Sequence, residues 1–218
     1  MLQERAKLVP RFQKPRADVF LNIPYDKKFQ HLCLAYICGL SAFGLVPRAT
    51  LEIPSGARRL DRILKLIRNC RYSIHDLSRV ELETKWPPTP RFNMPFELGL
   101  CVALAATAGK QHAWFVCESK LRRFSKSLSD IDGTDAHIHS GSVNGVFREI
   151  CNVFVGAERH PTIQQMRRIF RDVTENLPAI LAQAGTNSIY TARAFKDICI
   201  VASDSADRNV TKPNARKR

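Results

Sequence analysis

The run Val19-Phe20-Leu21-Asn22-Ile23, which Pro24 ends, opens the pattern that decides the fold class. Such a short apolar run fits a buried strand, and the apolar residues of 27–43 then recur at helical spacing. The alternation continues with strands over 45–49, 72–77 and 113–117 and with helices over 59–69 and from Asn93 onward. Because strands that alternate with helices pair in parallel, the sequence predicts an α/β, flavodoxin-like sheet of about five strands flanked by helices.

Beyond residue 126 the pattern is weaker. We expect a short fifth strand over 136–139 and amphipathic helices over 143–155 and 162–182, with Pro178 placed to kink the last of them. The chain is accordingly divided into a basic N-terminal segment (1–16), an α/β domain (17–156), a helical extension (157–202) and a disordered basic tail (203–218). The extension either caps the domain or joins copies of the chain into a homo-oligomer.

The charge is concentrated at the two ends of the chain. The formal net charge is +14, of which residues 1–16 contribute +4 and residues 208–218 contribute +5. Basic tails attract polyanions through a salt-sensitive term that is independent of sequence. We therefore expect weak, non-specific binding of RNA or DNA. A nucleic-acid-binding protein is the third interpretation of the chain, after an enzyme and a ligand-binding module.

The cysteines indicate a reduced, intracellular protein. Seven of them occur at irregular spacing, mostly within apolar runs, and no Cys-x-x-Cys pair is present. The N-terminus lacks the apolar block of a signal peptide, and the longest uncharged run, about 15 residues, is too short to span a bilayer. These observations predict a soluble, cytoplasmic protein without a structural zinc site, a disulfide scaffold or a membrane anchor.

One carboxylate calls for an explanation, that of Glu97 in the segment Arg91-Phe92-Asn93-Met94-Pro95-Phe96-Glu97-Leu98-Gly99-Leu100. Asn93 suits a helix N-cap and Pro95 suits a first turn, where no backbone donor is missed. Glu97 is then expected in the first turn, held ionised by the N–H groups of the helix terminus. The alternative is a carboxylate that merely stabilises the helix.

Two strand ends carry further polar side chains. After the first strand come Asn22, Pro24, Tyr25 and Asp26, a set that offers an amide, an aromatic ring and an acid to a nucleoside. The other interpretation of Asp26 is a helix N-cap. Because the carboxyl ends of parallel strands meet at one edge, Asp76 and Ser78 are expected near the same ligand.

Other clusters are weaker candidates. Arg59, Arg62 and Lys65 share a helix face that is either a phosphate contact or a solvated surface. His75 is interpreted as structural. His137 and His139 form a His-x-His pair without a third ligand at suitable spacing, so no metal site and no bound cofactor are predicted. The sequence contains no P-loop, dinucleotide-binding, zincin or nucleophile-elbow motif.

Three segments together carry a resemblance to a known family. They are Val19 to Asp26, Ser73-Ile74-His75-Asp76-Leu77-Ser78, and Phe96-Glu97-Leu98-Gly99-Leu100 followed by Ala108-Gly109-Lys110. Over residues 18–120 the chain resembles the nucleoside 2-deoxyribosyltransferase family and its TIR-domain relatives, and it looks like an uncharacterised bacterial branch of TIR-like proteins. In these relatives one glutamate on the helix after the third strand is catalytic, which implies Glu97.

The resemblance implies cleavage of an N-glycosidic bond in NAD, a nucleoside or a nucleotide, in bacterial defence or signalling. NAD or the nucleotide would be a substrate. The residues expected to bind it are Asn22, Pro24, Tyr25, Asp76, Ser78, Asn93 and Phe96. The alternative is a non-catalytic module that binds a nucleotide in the same cleft and passes a signal through the C-terminal helices.

Overall fold

A five-stranded sheet forms the centre of the protein in a computed structural model, which describes residues 16–53, 56, 58–80, 86–107, 112–121, 126, 128–131 and 133–210. The strands are β1 (Asp18–Asn22), β2 (Val46–Ala49), β3 (Tyr72–Asp76), β4 (Ala113–Glu118) and β5 (His137–Ile138). They lie in the order β2-β1-β3-β4-β5, and every neighbouring pair is parallel. The predicted α/β, flavodoxin-like fold class is confirmed.

Within these residues the longer helices number six. They are α1 (Gln30–Ala42), α2 (Arg59–Asn69), α3 (Asn93–Thr107), α4 (Val143–Val153), α5 (Ile163–Gln183) and α6 (Ala192–Asn209). Short 3-10 helices span Lys27–Phe29, Thr50–Glu52 and Ser129–Ile131. None of the helices described is both long and apolar enough to cross a membrane.

The alternation of side chains along β1 separates the two faces of the sheet. Val19 and Leu21 pack into the larger core with α1, α4, α5 and α6, whereas Phe20 packs with α2 and α3 on the opposite face. Successive side chains of a strand point to opposite faces, so Asn22 follows Phe20 toward the α3 side. This alternation determines which polar side chains can meet on the same face at the sheet edge.

Helix α1 lies between the sheet and the C-terminal helices. Eleven of its 13 residues are buried, because the sheet covers one side while α5 and α6 cover the other. At Gly39 an added Cβ would lie 2.5 Å from the Ile150 side chain of α4. The Ile150 side chain therefore packs directly over Gly39, and an alanine at this position would force its end to shift.

The C-terminal prediction requires a correction. Residues 203–209, predicted to be disordered, form the second half of α6. Ile198, Ala202 and Ala206 are fully buried against the core, and the side chains of Ser205 and Asn209 bond to Asp172 of α5 at 2.5 and 3.3 Å. Polar residues here serve packing between helices. Residues 1–15 and 211–218, which hold most of the basic tails, and residues 108–111 with Gly109 and Lys110 lie outside the described part.

Candidate functional site

The candidate site is a cavity of about 860 Å³ at the carboxyl ends of the strands. It lies between the end of β1 and the starts of α2 and α3, next to the β1/β3 switch point where α/β sheets bind ligands. Its polar and aromatic lining consists of Asn22, Tyr25, Thr50, Arg59, Thr89, Arg91, Phe92, Asn93, Phe96 and Glu97. Five residues singled out from the sequence, Asn22, Tyr25, Asn93, Phe96 and Glu97, thus line one hollow.

Glu97 lies deeper in its helix than the sequence suggested. Helix α3 begins at Asn93 and not after it, and the first intrahelical bond runs from Phe96 N–H to the Phe92 carbonyl at 2.9 Å. Glu97 is therefore in the second turn, beyond the unpaired N–H groups of the terminus. The expectations that Asn93 is the N-cap and that Glu97 sits in the first turn are wrong. Pro95 still precedes the first bonded N–H and removes no hydrogen bond.

The surroundings of Glu97 favour its neutral form. Burial raises the pKa of the carboxyl from 4.5 to about 7, and the positive charge of Arg59 offsets only part of that rise. The half-buried side chain makes no hydrogen bond or ion pair with any residue that the structure describes. The prediction that the helix terminus holds this carboxylate ionised is thus wrong. Glu97 instead titrates near neutral pH inside the cavity.

The amide of Asn22 closes the floor of the cavity. Its Nδ2 donates to the Met94 carbonyl at 2.7 Å and to Nδ1 of His75 at 2.8 Å, so both amide hydrogens are used. Asn22 thereby ties the end of β1 to the first turn of α3, the helix that carries Glu97. The atom left for a ligand is Oδ1, which only accepts hydrogen bonds.

A chain of hydrogen bonds fixes that orientation of Asn22. Since Nδ1 of His75 accepts, its Nε2 donates to Ser73 Oγ at 3.0 Å, and the Ser73 hydroxyl donates to Nε2 of His112 at 3.0 Å. Nδ1 of His112 then donates to the Cys70 carbonyl at 2.9 Å. These roles follow from the network, whose two ends allow one direction only. Burial lowers the pKa of His75 to about 3, so this histidine is a neutral, structural residue.

Aromatic and apolar side chains form the rim. Phe92, Phe96 and Leu60 are all exposed, at 63, 54 and 45% respectively, and all three line the cavity. Large exposed apolar groups that converge on one hollow are typical of a ligand-binding site. Deeper in the cavity, the Tyr25 hydroxyl pairs with Thr50 Oγ1 at 3.1 Å. The rim offers flat surfaces to an aromatic ring.

Two basic side chains also reach this cavity. Arg59 is the member of the α2 basic set that lines it, and its Nη1 donates to the Ile53 carbonyl at 3.2 Å. Arg91 is held at the rim by Asp26, whose Oδ2 lies 2.8 Å from Nη1. Asp26 also accepts from Phe29 N–H at 3.1 Å, so the N-cap interpretation of this residue is confirmed.

Pro24, Asp76 and Ser78 do not line the cavity, contrary to expectation. Asp76 follows Ile74 by two residues and shares its orientation toward the α1 side of the sheet, whereas His75 faces α3. The fully buried Asp76 carboxylate accepts from the Tyr36 hydroxyl at 2.8 Å and from His139 Nε2 at 3.0 Å. Its second oxygen accepts from Ser78 N–H at 2.9 Å. The expectation that strand ends meet at one edge placed Asp76 at the correct edge of the sheet, but it did not show on which face of the sheet the side chain lies.

The Asp76–His139–Ser78 group is a structural link and not a catalytic triad. Asp76 Oδ2 and Ser78 Oγ both contact the same nitrogen, Nε2 of His139, at 3.0 and 3.1 Å. Nδ1 of that ring accepts from Gly141 N–H at 3.1 Å. A nucleophile–base–acid relay requires the hydroxyl and the carboxylate on opposite ring nitrogens. All three side chains are buried, and they join β3 to the end of β5.

Metal ligation has no support in the described ranges. They contain no group of three His, Cys, Asp or Glu side chains that could hold an ion. Of the His-x-His pair, His137 faces Glu149 at 3.4 Å while His139 belongs to the buried Asp76 group. All seven cysteines are unpaired, and five of them are buried.

Comparisons of the chain with protein-family models, with curated proteins and with solved structures found no match. The resemblance to deoxyribosyltransferase-like and TIR-like proteins therefore stays a prediction. Sequence reasoning overlooked Thr50 and Phe92 in the lining. Thr50 directly follows β2, so the strand-end rule that selected Asn22 also points to it.

Proposed function

We propose that the protein hydrolyses the N-glycosidic bond of NAD or of a related nucleotide or nucleoside, with Glu97 as the catalytic carboxylate. The observation that carries the proposal is the position of this carboxyl. It is half-buried in a cavity of about 860 Å³, has no hydrogen-bond or ion-pair partner among the described residues, and shares the cavity with an amide acceptor and aromatic rings. The size suits a ligand of nucleotide dimensions.

The chemistry needs one carboxylate beside a sugar. When the C1′–N bond breaks, its electron pair leaves with the base and the ribose ring becomes an oxocarbenium ion. An ionised carboxylate next to the ring stabilises that cation, or bonds to C1′ until water displaces it. Water adds to C1′ and loses a proton. For NAD⁺ and water the products are nicotinamide, ADP-ribose and H⁺.

A pyridinium leaving group suits this site best. Nicotinamide becomes neutral when it takes the electron pair, so its departure needs no proton donor, whereas a purine usually leaves after protonation. Among the described residues that line the cavity, Glu97 is the single acid, and at its pKa of about 7 roughly half of the carboxyl is ionised at neutral pH. For the release of nicotinamide, a single ionised carboxylate is sufficient, because no second group is needed as a proton donor.

The remaining lining supports the proposal, because it offers a partner to each part of a nucleotide. Asn22 Oδ1 accepts from a ribose hydroxyl, because both Nδ2 hydrogens are already bonded. Phe92 and Phe96 offer ring faces to a base. Arg59 offers a cation to the phosphates.

The test is an assay of base release. The full chain is incubated with NAD and with a panel of purine and pyrimidine nucleosides and nucleotides, and free base is measured by chromatography. We expect release of nicotinamide, and a loss of about 10²- to 10³-fold in Glu97→Gln with unchanged circular dichroism. Glu175→Gln, a change at an exposed glutamate of α5, is the matched control. Folded protein that releases no base from any substrate contradicts the proposal.

A second function, nucleotide binding without catalysis, is favoured by one contact. The Tyr25 ring lies 5.5 Å from the ring of Tyr190, whose hydroxyl donates to the Asp26 carbonyl at 2.9 Å. Tyr190 belongs to the turn before α6, so a ligand that moves Tyr25 also acts on the C-terminal helices. Saturable NAD binding with slower amide exchange in α6, but without base release, would favour this module over the hydrolase.

A further inference from the structure

A second cavity, of about 610 Å³, lies on the other side of the sheet between β2, the end of α1 and α6. Its lining consists of Ser41, Leu45, Val46, Pro47, Arg48, Glu52, Ala192, Phe195, Lys196, Cys199, Ile200 and Ser203. None of these residues lines the Glu97 cavity. We call this second hollow the β2–α6 groove.

Ser41 is the feature of the groove that points to a ligand. Its side chain is 98% buried, yet Oγ makes no hydrogen bond in the described structure. Buried hydroxyls are nearly always paired, with protein groups or with another molecule, because an unmade hydrogen bond is costly. A buried hydroxyl without a hydrogen bond at the wall of a cavity indicates that a ligand in that cavity supplies the missing polar atom.

The edge of the sheet excludes an added strand as the occupant. Val46 N–H points toward β1 and bonds to the Ala17 carbonyl at 3.0 Å. The backbone nitrogens of Pro47 and Ala49 therefore point the other way, toward the open edge of the sheet. Pro47 has no N–H, and Ala49 N–H is bonded to Glu52 Oε2 at 3.1 Å. An incoming peptide would find no donor on this edge. Strand addition at this edge is therefore disfavoured as the way in which the groove is filled.

The charges at the rim select the sign of that molecule. In the lining, Arg48 and Glu52 pair with each other at 2.9 Å, and Asp18, which lies outside the lining, also pairs with Arg48 at 3.0 Å. Lys196 is exposed and forms no ion pair with any residue in the described ranges. Among the three charged residues of the lining, Arg48, Glu52 and Lys196, the charge without a partner in the described ranges is thus the positive one of Lys196, and it stands beside Ile200, an exposed apolar side chain.

We propose that the β2–α6 groove binds a small organic acid. The apolar body of the acid packs against Phe195 and Ile200, its carboxylate pairs with Lys196, and a polar atom of the ligand bonds to Ser41 Oγ. This site is independent of the hydrolase proposal, since the two cavities share no lining residue. A volume of about 610 Å³ lies within the range of small-molecule sites.

The test compares two amphiphiles of equal chain length and opposite charge, decanoate and decylamine, by calorimetric titration of the full chain below their micellar concentrations. Saturable binding of one decanoate per chain, with weaker binding of decylamine, is expected. Lys196→Glu should weaken decanoate binding about ten-fold, because attraction becomes repulsion. Lys65→Glu, at an exposed lysine of α2, should leave the affinity unchanged.

A second variant protects the test from folding artefacts. Ser41→Ala removes a hydroxyl that has no partner in the described structure, so its melting temperature should not fall while decanoate affinity drops several-fold. Equal binding of both amphiphiles, equal loss in the Lys65→Glu control, or no saturable binding would overturn the proposal. A dimer that Ile200→Glu dissociates, with decanoate affinity unaltered, would show that a second copy covers the groove and would also overturn it.

Discussion

Two carboxyl groups, those of Glu97 and Asp76, stand near the same edge of the sheet and have opposite fates. Asp76 is fully buried on the α1 side and accepts hydrogen bonds from Tyr36, His139 and Ser78 N–H. Glu97 lies on the α3 side, lines a cavity and has no partner within the described residues. The oxygens of Asp76 are already occupied by hydrogen bonds within the protein, whereas those of Glu97 remain available to a ligand.

This contrast teaches that position at a strand end does not by itself make a functional group. Whether a carboxyl group is structural or available to a ligand depends on the side of the sheet that it faces and on the number of hydrogen bonds that it accepts. A carboxylate with all its acceptor sites bonded stabilises the structure. For a half-buried carboxyl without partners the ionised form is disfavoured, and such groups are typical of functional sites. The predictions below test this contrast, beginning with the largest effect.

Removing the buried carboxylate should have the largest effect on stability. Asp76→Ala leaves the Tyr36 hydroxyl, His139 Nε2–H and Ser78 N–H without their shared acceptor. We expect a loss of about 3 kcal/mol or more in the free energy of unfolding, because each of three buried donors left without an acceptor costs about 1–3 kcal/mol. Urea denaturation measures it. Asp197→Ala, at a surface carboxylate in α6 that is 3.8 Å from Arg193, is the control and should change stability by less than about 1 kcal/mol.

An intermediate effect is expected at the floor of the cavity. Asn22→Asp places an acceptor against the Met94 carbonyl and against Nδ1 of His75, where two donors stood. We expect a loss of about 1–3 kcal/mol in stability. Asn187→Asp, in the exposed turn before α6, should be neutral in the same measurement. Equal stability of both variants would mean that the Asn22 network does not hold α3 in place.

The last prediction concerns the pH dependence of stability. Because the pKa of Glu97 is raised to about 7 from 4.5, the folded state binds this proton more tightly than the unfolded state does. The favourable contribution of the neutral carboxyl is present at low pH and is lost as the pH rises toward 7. Glu97→Gln should therefore gain stability relative to the wild type between pH 5 and pH 8. A constant difference across that range would show that the carboxyl is not desolvated.

The sequence predicted the sheet well because hydrophobic periodicity is a local signal. Helix α2 begins and ends at the predicted residues, Arg59 and Asn69, and each strand lies within one or two residues of its expected bounds. The first helix splits into a 3-10 turn and α1 because Asp26 caps the turn at Phe29. Such caps depend on side-chain geometry that periodicity does not contain.

Other features were beyond local patterns. The end of α6 presents small residues such as Ala202 and Ala206 to the core, and its polar residues bond to α5, so the segment reads as a polar tail. The face toward which Asp76 points depends on which side of the sheet α1 occupies, and that is a tertiary property. For the same reason the pKa of Glu97 was misjudged, since burial by distant segments outweighs the local helix terminus.

The most direct test of the contrast is a titration of the Glu97 carboxyl by ¹³C NMR, with Glu97→Gln used to assign the signal. A midpoint near pH 7 is the result expected for a carboxyl that lies desolvated and without a partner in the cavity. A midpoint at or below the ordinary value of 4.5 would mean that Glu97 is solvated or paired. It would then be no more available for chemistry than Asp76.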